Sequence, residues 1–162
     1  MTDAPRPSAP RQVPVMLLAP GARLPERAYE NDAAFDLFSV EDAIVAPQHR
    51  QVIRTGVALG LPPGLAALTL PRSGLAAEHG VTLVNTPGLI DPGYRGEVRI
   101  ILLNTDRHHP FHVGVGDRIA QLLIVGLTEV SFFETVRLDD THRGERGFGS
   151  SGTGFGSPPG DS

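Results

Sequence analysis

Glycine at 19 positions and proline at 15 break this 162-residue chain into short pieces. Together they are about a fifth of the residues, where about an eighth is usual. That punctuation leaves no room for strands alternating with helices of ten or more residues, which disfavours a parallel α/β fold. Between the breaks the segments are rich in Val, Ile and Leu and have strand length. Strands are expected over Val13–Leu18, Gln51–Leu61, Leu65–Leu70, Val81–Val84, Glu97–Asn104, Phe111–Val113, Ile119–Val125 and Glu129–Phe133. Turn sequences separate several of them: Leu61-Pro62-Pro63-Gly64, Asp91-Pro92-Gly93-Tyr94 and Val115-Gly116-Asp117. Only Ser73–His79 reads as helical, with Ser73 as the expected N-cap and Gly80 as the stop. The expected architecture is all-β, a barrel or jelly roll in one domain.

What is missing narrows the chemistry. The chain has no cysteine, which removes disulfides, thiol nucleophiles and thiolate metal sites. All fourteen Lys+Arg positions are Arg, so P-loop, Schiff-base and kinase lysine chemistry are excluded together. A net charge of -4 argues against a sequence-independent grip on a nucleic-acid polymer, though not against a small anionic ligand. No apolar run approaches the roughly 20 residues of a membrane span, and the first residues lack an apolar signal core. The expectation is a soluble cytoplasmic protein with no membrane partner.

The ends differ in composition from the middle. Residues 1–13 form a proline-rich extension expected to be disordered, and residues 14–141 the folded domain. Residues 142–162 form a glycine-rich tail, in which ordering entropy disfavours regular structure. Phe148 and two arginines in that tail keep open a segment that folds over a ligand.

Some apparent motifs fail on context. Gly147, Gly149 and Gly152 match G-x-G-x-x-G, but no strand precedes them and no helix follows. His108, His109 and His112 suggest a metal cluster, yet Pro110 prevents a helical presentation and no carboxylate pair lies at ligand spacing. What remains is a set of polar clusters at the turns. Asp36 is one carboxylate in an apolar run, Pro71-Arg72-Ser73-Gly74 opens the short helix, and Gly88–Gly96 is a hairpin-like turn carrying an acid and an aromatic. Gly116–Gln121 starts another strand with paired charges. Taken singly, each reads as turn capping, since an Asp in a turn usually bonds backbone N–H groups.

Taken together and in order, these segments resemble the five motifs of the homotrimeric dUTP diphosphatases. The first is Ala33-Ala34-Phe35-Asp36-Leu37-Phe38-Ser39, and the second Pro71-Arg72-Ser73-Gly74-Leu75-Ala76 followed by His79-Gly80. The third is Gly88-Leu89-Ile90-Asp91-Pro92-Gly93-Tyr94-Arg95-Gly96-Glu97, leading to Asn104. The fourth is Gly116-Asp117-Arg118-Ile119-Ala120-Gln121-Leu122, and the fifth runs from Arg143 through Phe148 to Gly152. The resemblance covers nearly the whole folded chain.

It implies a distorted, β-clip-like jelly roll in a homotrimer, with a flexible C-terminal arm and active sites shared between subunits. The implied reaction is Mg²⁺-dependent hydrolysis of dUTP to dUMP and pyrophosphate, which supplies dUMP for dTMP synthesis and keeps uracil out of DNA. Asp91 is implied as the general base that activates water for attack on the α-phosphate. The uracil would enter the hairpin from Asn85 to Arg99, including Leu89 and Ile90, and be read largely by backbone groups. Tyr94 would stack under the deoxyribose and leave no room for a 2′-hydroxyl. Arg72, Ser73, Gly74 and Gln121 would hold the phosphates, and Asp36 would order water around Mg²⁺ held mainly by the triphosphate. Arg143 would reach the γ-phosphate and Phe148 close over the base as a lid.

The chain departs from the family pattern at Arg146, where glycine is usual, and at Arg99, where an apolar residue or lysine is more common. Gly154-Phe155-Gly156-Ser157 repeats Gly147-Phe148-Gly149-Ser150, and the spacing from Arg143 favours Phe148 as the stacking ring. Two rivals use the same features. A dCTP deaminase on the same jelly roll, with or without dUTPase activity, would need a Glu base and a Ser/Arg-rich second motif, and Pro71-Arg72-Ser73-Gly74 and the complete fifth motif argue against it. A non-catalytic dUTP-responsive module would have no use for Asp91.

Overall fold

The computed structural model describes residues 11–141, 144 and 145. Contacts divide the chain after Glu129. Among its described residues the first unit holds ten strands and one short helix: β1 (Val15–Leu17), β2 (Phe35–Phe38), β3 (Ala43–Val45), β4 (Arg50–Leu59), β5 (Leu65–Leu70), α1 (Ser73–His79), β6 (Val81–Leu83), β7 (Gly88–Ile90), β8 (Glu97–Asn104), β9 (Phe111–Val113) and β10 (Arg118–Gly126). They form two four-stranded sheets, β1-β4-β8-β6 and β2-β10-β5-β7, with β3 and β9 as a separate pair. Every ladder is antiparallel, and the sheets stay open. This is the all-β, jelly-roll-like arrangement that the short apolar segments call for.

Alternation along β8 shows how the sequence makes this layer. Val98, Ile100, Leu102 and Asn104 point inward and are buried, while Arg99 on the opposite face is exposed. The inward set meets Ile53 of β4, and across the sheets Leu37 of β2 and Ile119, Ala120 and Leu122 of β10. Asn104, although fully buried, is satisfied: its amide donates to the carbonyls of Val45 and His109 at 3.0 and 2.8 Å, and its oxygen accepts from Asp106 N–H at 2.9 Å. The histidine-rich turn is therefore a capped connection, with the N–H groups of His108 and His109 both on Asp106 Oδ1 at 2.7 and 2.9 Å. These bonds hold the Asp106 carboxyl below its usual range.

Two expectations need correction. Ser73 is the first helical residue and Arg72 the N-cap, with extended backbone and no side-chain cap bond. The arginine side chain has other partners, described below. Glu129–Phe133 is not a strand: β10 ends at Gly126, and no described strand offers the later residues a ladder. An apolar β-branched run becomes a strand only where a neighbour pairs with it. The strands β2, β3 and β7 were not anticipated, and β4 begins and ends slightly earlier than the pattern suggested.

The second unit, from Val130, is described only to Thr141 and at Gly144 and Glu145. It is irregular, with an Arg137–Asp140 ion pair at 3.0 Å and exposed Phe132, Phe133 and Val136. Among the described residues no helix is long and apolar enough to cross a membrane.

Candidate active site

Two polar centres stand on opposite sides of β5. One is a cleft of about 280 Å³ between β5, β7 and β8. It is lined by Asn85, Leu89, Ile90, Asp91, Tyr94 and Arg99, so six of the residues singled out in the hairpin meet in one place. The hairpin is held to the sheet by the pairing of Gly88, Leu89 and Ile90 with Thr69, Leu68 and Ala67. Asp91 leaves the end of β7, exposed, and its carbonyl accepts from Tyr94 N–H at 3.1 Å to close the turn. The Tyr94 hydroxyl donates to the Glu97 carbonyl at 3.0 Å. Its ring lies so close over Gly96 that a Cβ there would sit 2.6 Å from Tyr94 Cζ, so a side chain at that position would displace the ring.

Glu97, at the start of β8, also lines this cleft and was not singled out from the sequence. Its carboxylate is nearly inaccessible, at 7% exposure. It accepts from Arg54 Nε at 3.2 Å, Arg99 Nε at 3.0 Å and the Gly56 N–H at 2.9 Å. Burial alone would raise its pKa, but the bonds from Arg54, Gly56 and Arg99 outweigh that and hold it below the ordinary 4.5. Arg99, expected at the substrate, is thus engaged with Glu97 while lining the cleft.

The second centre is built by β2, β10 and the end of β5. Asp36 on β2 pairs with Gln121 on β10, and Gln121 pairs in turn with Leu70, two residues before Arg72. Asp36 is 4% exposed. Arg72 Nε lies 3.5 Å from its Oδ1, and Arg118 Nε 3.4 Å from its Oδ2. Arg72 also donates to the Arg118 carbonyl at 2.9 Å. Neither arginine makes a close bond to the carboxylate, and Oδ1 is buried with no hydrogen-bond donor. Ser73 and Gly74, in the first turn of α1, are exposed beside Arg72. The structure thus gathers Asp36, Arg72, Ser73, Gly74 and Gln121, and adds Arg118, one of the charged pair Asp117-Arg118. The other member, Asp117, is a turn cap that accepts from Gly114 N–H at 2.7 Å.

The two centres share no lining residue. Arg72 and Arg118 border a separate cavity of about 480 Å³, with His79, Phe111 and His112. Arg143 and Phe148 lie outside the described residues. No group of three His, Asp or Glu is placed to hold a metal among the described residues.

A family model described as dUTPase matches residues 21–152. A deoxyuridine 5'-triphosphate nucleotidohydrolase from Tropheryma whipplei is 51% identical over 138 residues, 85% of this chain and 94% of that protein. One from Nocardia farcinica is 48% identical over 145 residues, 90% of this chain and 88% of that protein. Among solved structures, a Staphylococcus bacteriophage 80alpha dUTPase with dUpNHpp superposes with a TM-score of 0.80 at 31% identity, covering 88% of this chain and 99% of its own. A mutant dUTPase from phage phi11 of S. aureus, described with a structural Mg(II) ion, superposes at 0.73 with 28% identity, covering 78% and 98%.

Proposed function

The chain belongs to the dUTPase family, and from that premise we propose that the hairpin cleft receives the uracil and sugar of dUTP while the Asp36–Arg72–Arg118 centre receives its phosphates. The activity is hydrolysis of dUTP to dUMP and pyrophosphate, a step of nucleotide metabolism. The observation that carries the site assignment is the convergence of Asn85, Leu89, Ile90, Asp91, Tyr94 and Arg99 on one cleft.

Base recognition follows from that cleft. Leu89 and Ile90 line the cleft beside Asn85, and reading of the base edge by their backbone groups would suit uracil and leave cytosine with unpaired polar groups. Tyr94 sits where its ring would lie under the deoxyribose and crowd a 2′-hydroxyl. Asp91, exposed at the end of β7, accepts a proton from water as that water's oxygen attacks the α-phosphorus. The bond to the bridging oxygen breaks, and pyrophosphate leaves with its electron pair. Arg72, with Ser73, Gly74 and Gln121, holds the phosphate oxygens so that attack is in line. Arg143 and Phe148 act as the closing segment.

The donor set also bears on magnesium. Asp36 offers one buried oxygen without a donor, and no protein cage stands around it among the described residues. That fits an ion carried by the triphosphate and met by Asp36 through water, since Mg²⁺ keeps several of its waters. When bound, Mg²⁺ neutralises phosphate charge and favours one triphosphate conformation.

A single chain leaves the two centres in separate cavities, which supports a homotrimer with sites completed between subunits. We place the protein in the cytoplasm. The test is pyrophosphate release from dUTP, dCTP, dTTP and UTP with Mg²⁺. Turnover confined to dUTP is expected. Ammonia release from dCTP, or comparable rates with all four nucleotides, would overturn the reading.

A further inference from the structure

We infer that Glu97 is a positioning residue that sets the discrimination between deoxyribo- and ribonucleotides by fixing the ring of Tyr94. The inference rests on the reading of Tyr94 as the surface under the sugar. The Tyr94 hydroxyl donates to the Glu97 carbonyl, so the ring's placement follows that carbonyl. Three donors fix Glu97 from β4 and β8. Arg54 and Arg99 face each other as cross-strand partners, an arrangement of like charges that is unfavourable by itself. Glu97 lies on the same face of β8 as Arg99 and bonds both guanidiniums at 3.0–3.2 Å.

The third donor is specific to the local backbone. Register slips between Arg54 and Ala58, and Gly56 within that bulge has φ +67. A Cβ at Gly56 would meet the Ala22 side chain at 2.8 Å. The bulge turns the Gly56 N–H toward Glu97 Oε1, at 2.9 Å. The line of constraint therefore runs from the β4 bulge and two arginines to the Glu97 carboxylate, through its carbonyl to the Tyr94 hydroxyl, and so to the ring seated on Gly96. Tyr94 itself is about half exposed, so few other contacts compete with this one. A shift of a few tenths of an ångström in the ring alters how well a 2′-hydroxyl is excluded.

The experiment is competition kinetics of dUTP against UTP with the full chain and Mg²⁺, alongside a thermal melt of each variant. Tyr94→Ala tests the underlying reading and should lower the preference for dUTP by about 10- to 100-fold. Glu97→Ala should lower it by about tenfold through displacement of the ring, and Glu97→Gln, which keeps an acceptor for Gly56, should recover most of it. Tyr94→Phe removes only the reporting hydroxyl and should lower the preference about three- to tenfold. An unchanged ratio in Tyr94→Ala would remove the sugar-gate reading. A changed ratio there, with both nucleotides slowed equally in Glu97→Ala, would make Glu97 merely structural and overturn the inference. If Glu97→Ala does not fold, Tyr94→Phe decides, and an unchanged ratio in that variant overturns it.

Discussion

Among the described residues, two carboxylate side chains with little exposure, Glu97 and Asp36, each stand between two arginines, and they are bonded in opposite ways. Glu97 is bonded by Arg54, Arg99 and the Gly56 N–H at 2.9–3.2 Å, and no oxygen is left wanting. Asp36 lies 3.4–3.5 Å from Arg72 and Arg118 and keeps one oxygen without a donor. The first group is closed. Its carboxylate is fully bonded and ties Arg54 of β4 and Arg99 of β8 to the base of the hairpin. The second is open. Its guanidiniums are gathered by the carboxylate but not consumed by it, which suits them to an anion that arrives later. Composition alone would rank the two alike; what separates them is a few tenths of an ångström and one backbone N–H.

The strongest way to break this comparison is to change the hairpin side where chemistry, not geometry, is assigned. Asp91→Asn should leave dUTP binding within a few-fold while turnover falls by about 10²–10⁴. Equilibrium binding of a non-hydrolysable analogue, measured beside pyrophosphate release, separates the two quantities. Near-normal turnover would remove Asp91 as the base.

A smaller effect is expected in the open triad. Asp36→Asn keeps the shape but no longer gathers Arg72 and Arg118, and should reduce kcat/KM for dUTP by about 10- to 100-fold. Steady-state kinetics should show the loss with little change in the melting temperature, because the guanidiniums were never fully bonded. A large drop in stability with normal kcat/KM would mean that Asp36 belongs to the same structural class as Glu97.

The smallest effect sharpens the closed triad. Glu97 is held below its ordinary pKa of 4.5 in the folded chain, so its carboxylate stabilises the fold above that value. The contribution is lost as pH falls through the lower folded value. Glu97→Gln should therefore melt about 2–4 °C below the parent at pH 7, and the gap should narrow at pH 3. A gap independent of pH would mean that the charge of Glu97 does not contribute.

How much of this the sequence discloses depends on how local the cause is. The long strands β4, β5, β8 and β10 follow from apolar runs between Gly and Pro breaks, and Gly80 ends α1 in the left-handed conformation its position suggests. β2 is hidden because Asp36 interrupts its apolar pattern, and β3 and β7 are only three residues long. Val130, Phe132 and Phe133 have strand composition but no described ladder, and composition cannot supply a neighbour. The hairpin residues were legible because they are contiguous and match family motifs. The role of Glu97 is not legible in its motif, since its partners Arg54 and Gly56 lie 43 and 41 positions away. Arg118 was missed for the same reason: only the packing of β2 beside β10 brings it to Asp36.

The central claim is that the open triad of one chain serves the hairpin cleft of another. It is tested most directly by mixing two inactive chains, Asp91→Asn and Arg72→Met, with different tags and isolating trimers that contain both. If cleft and triad come from different subunits, each mixed trimer has one site with both parts intact and should show about one third of parental turnover. Verified mixed trimers with no activity above either parent variant would contradict the account and place both halves of the site on one chain.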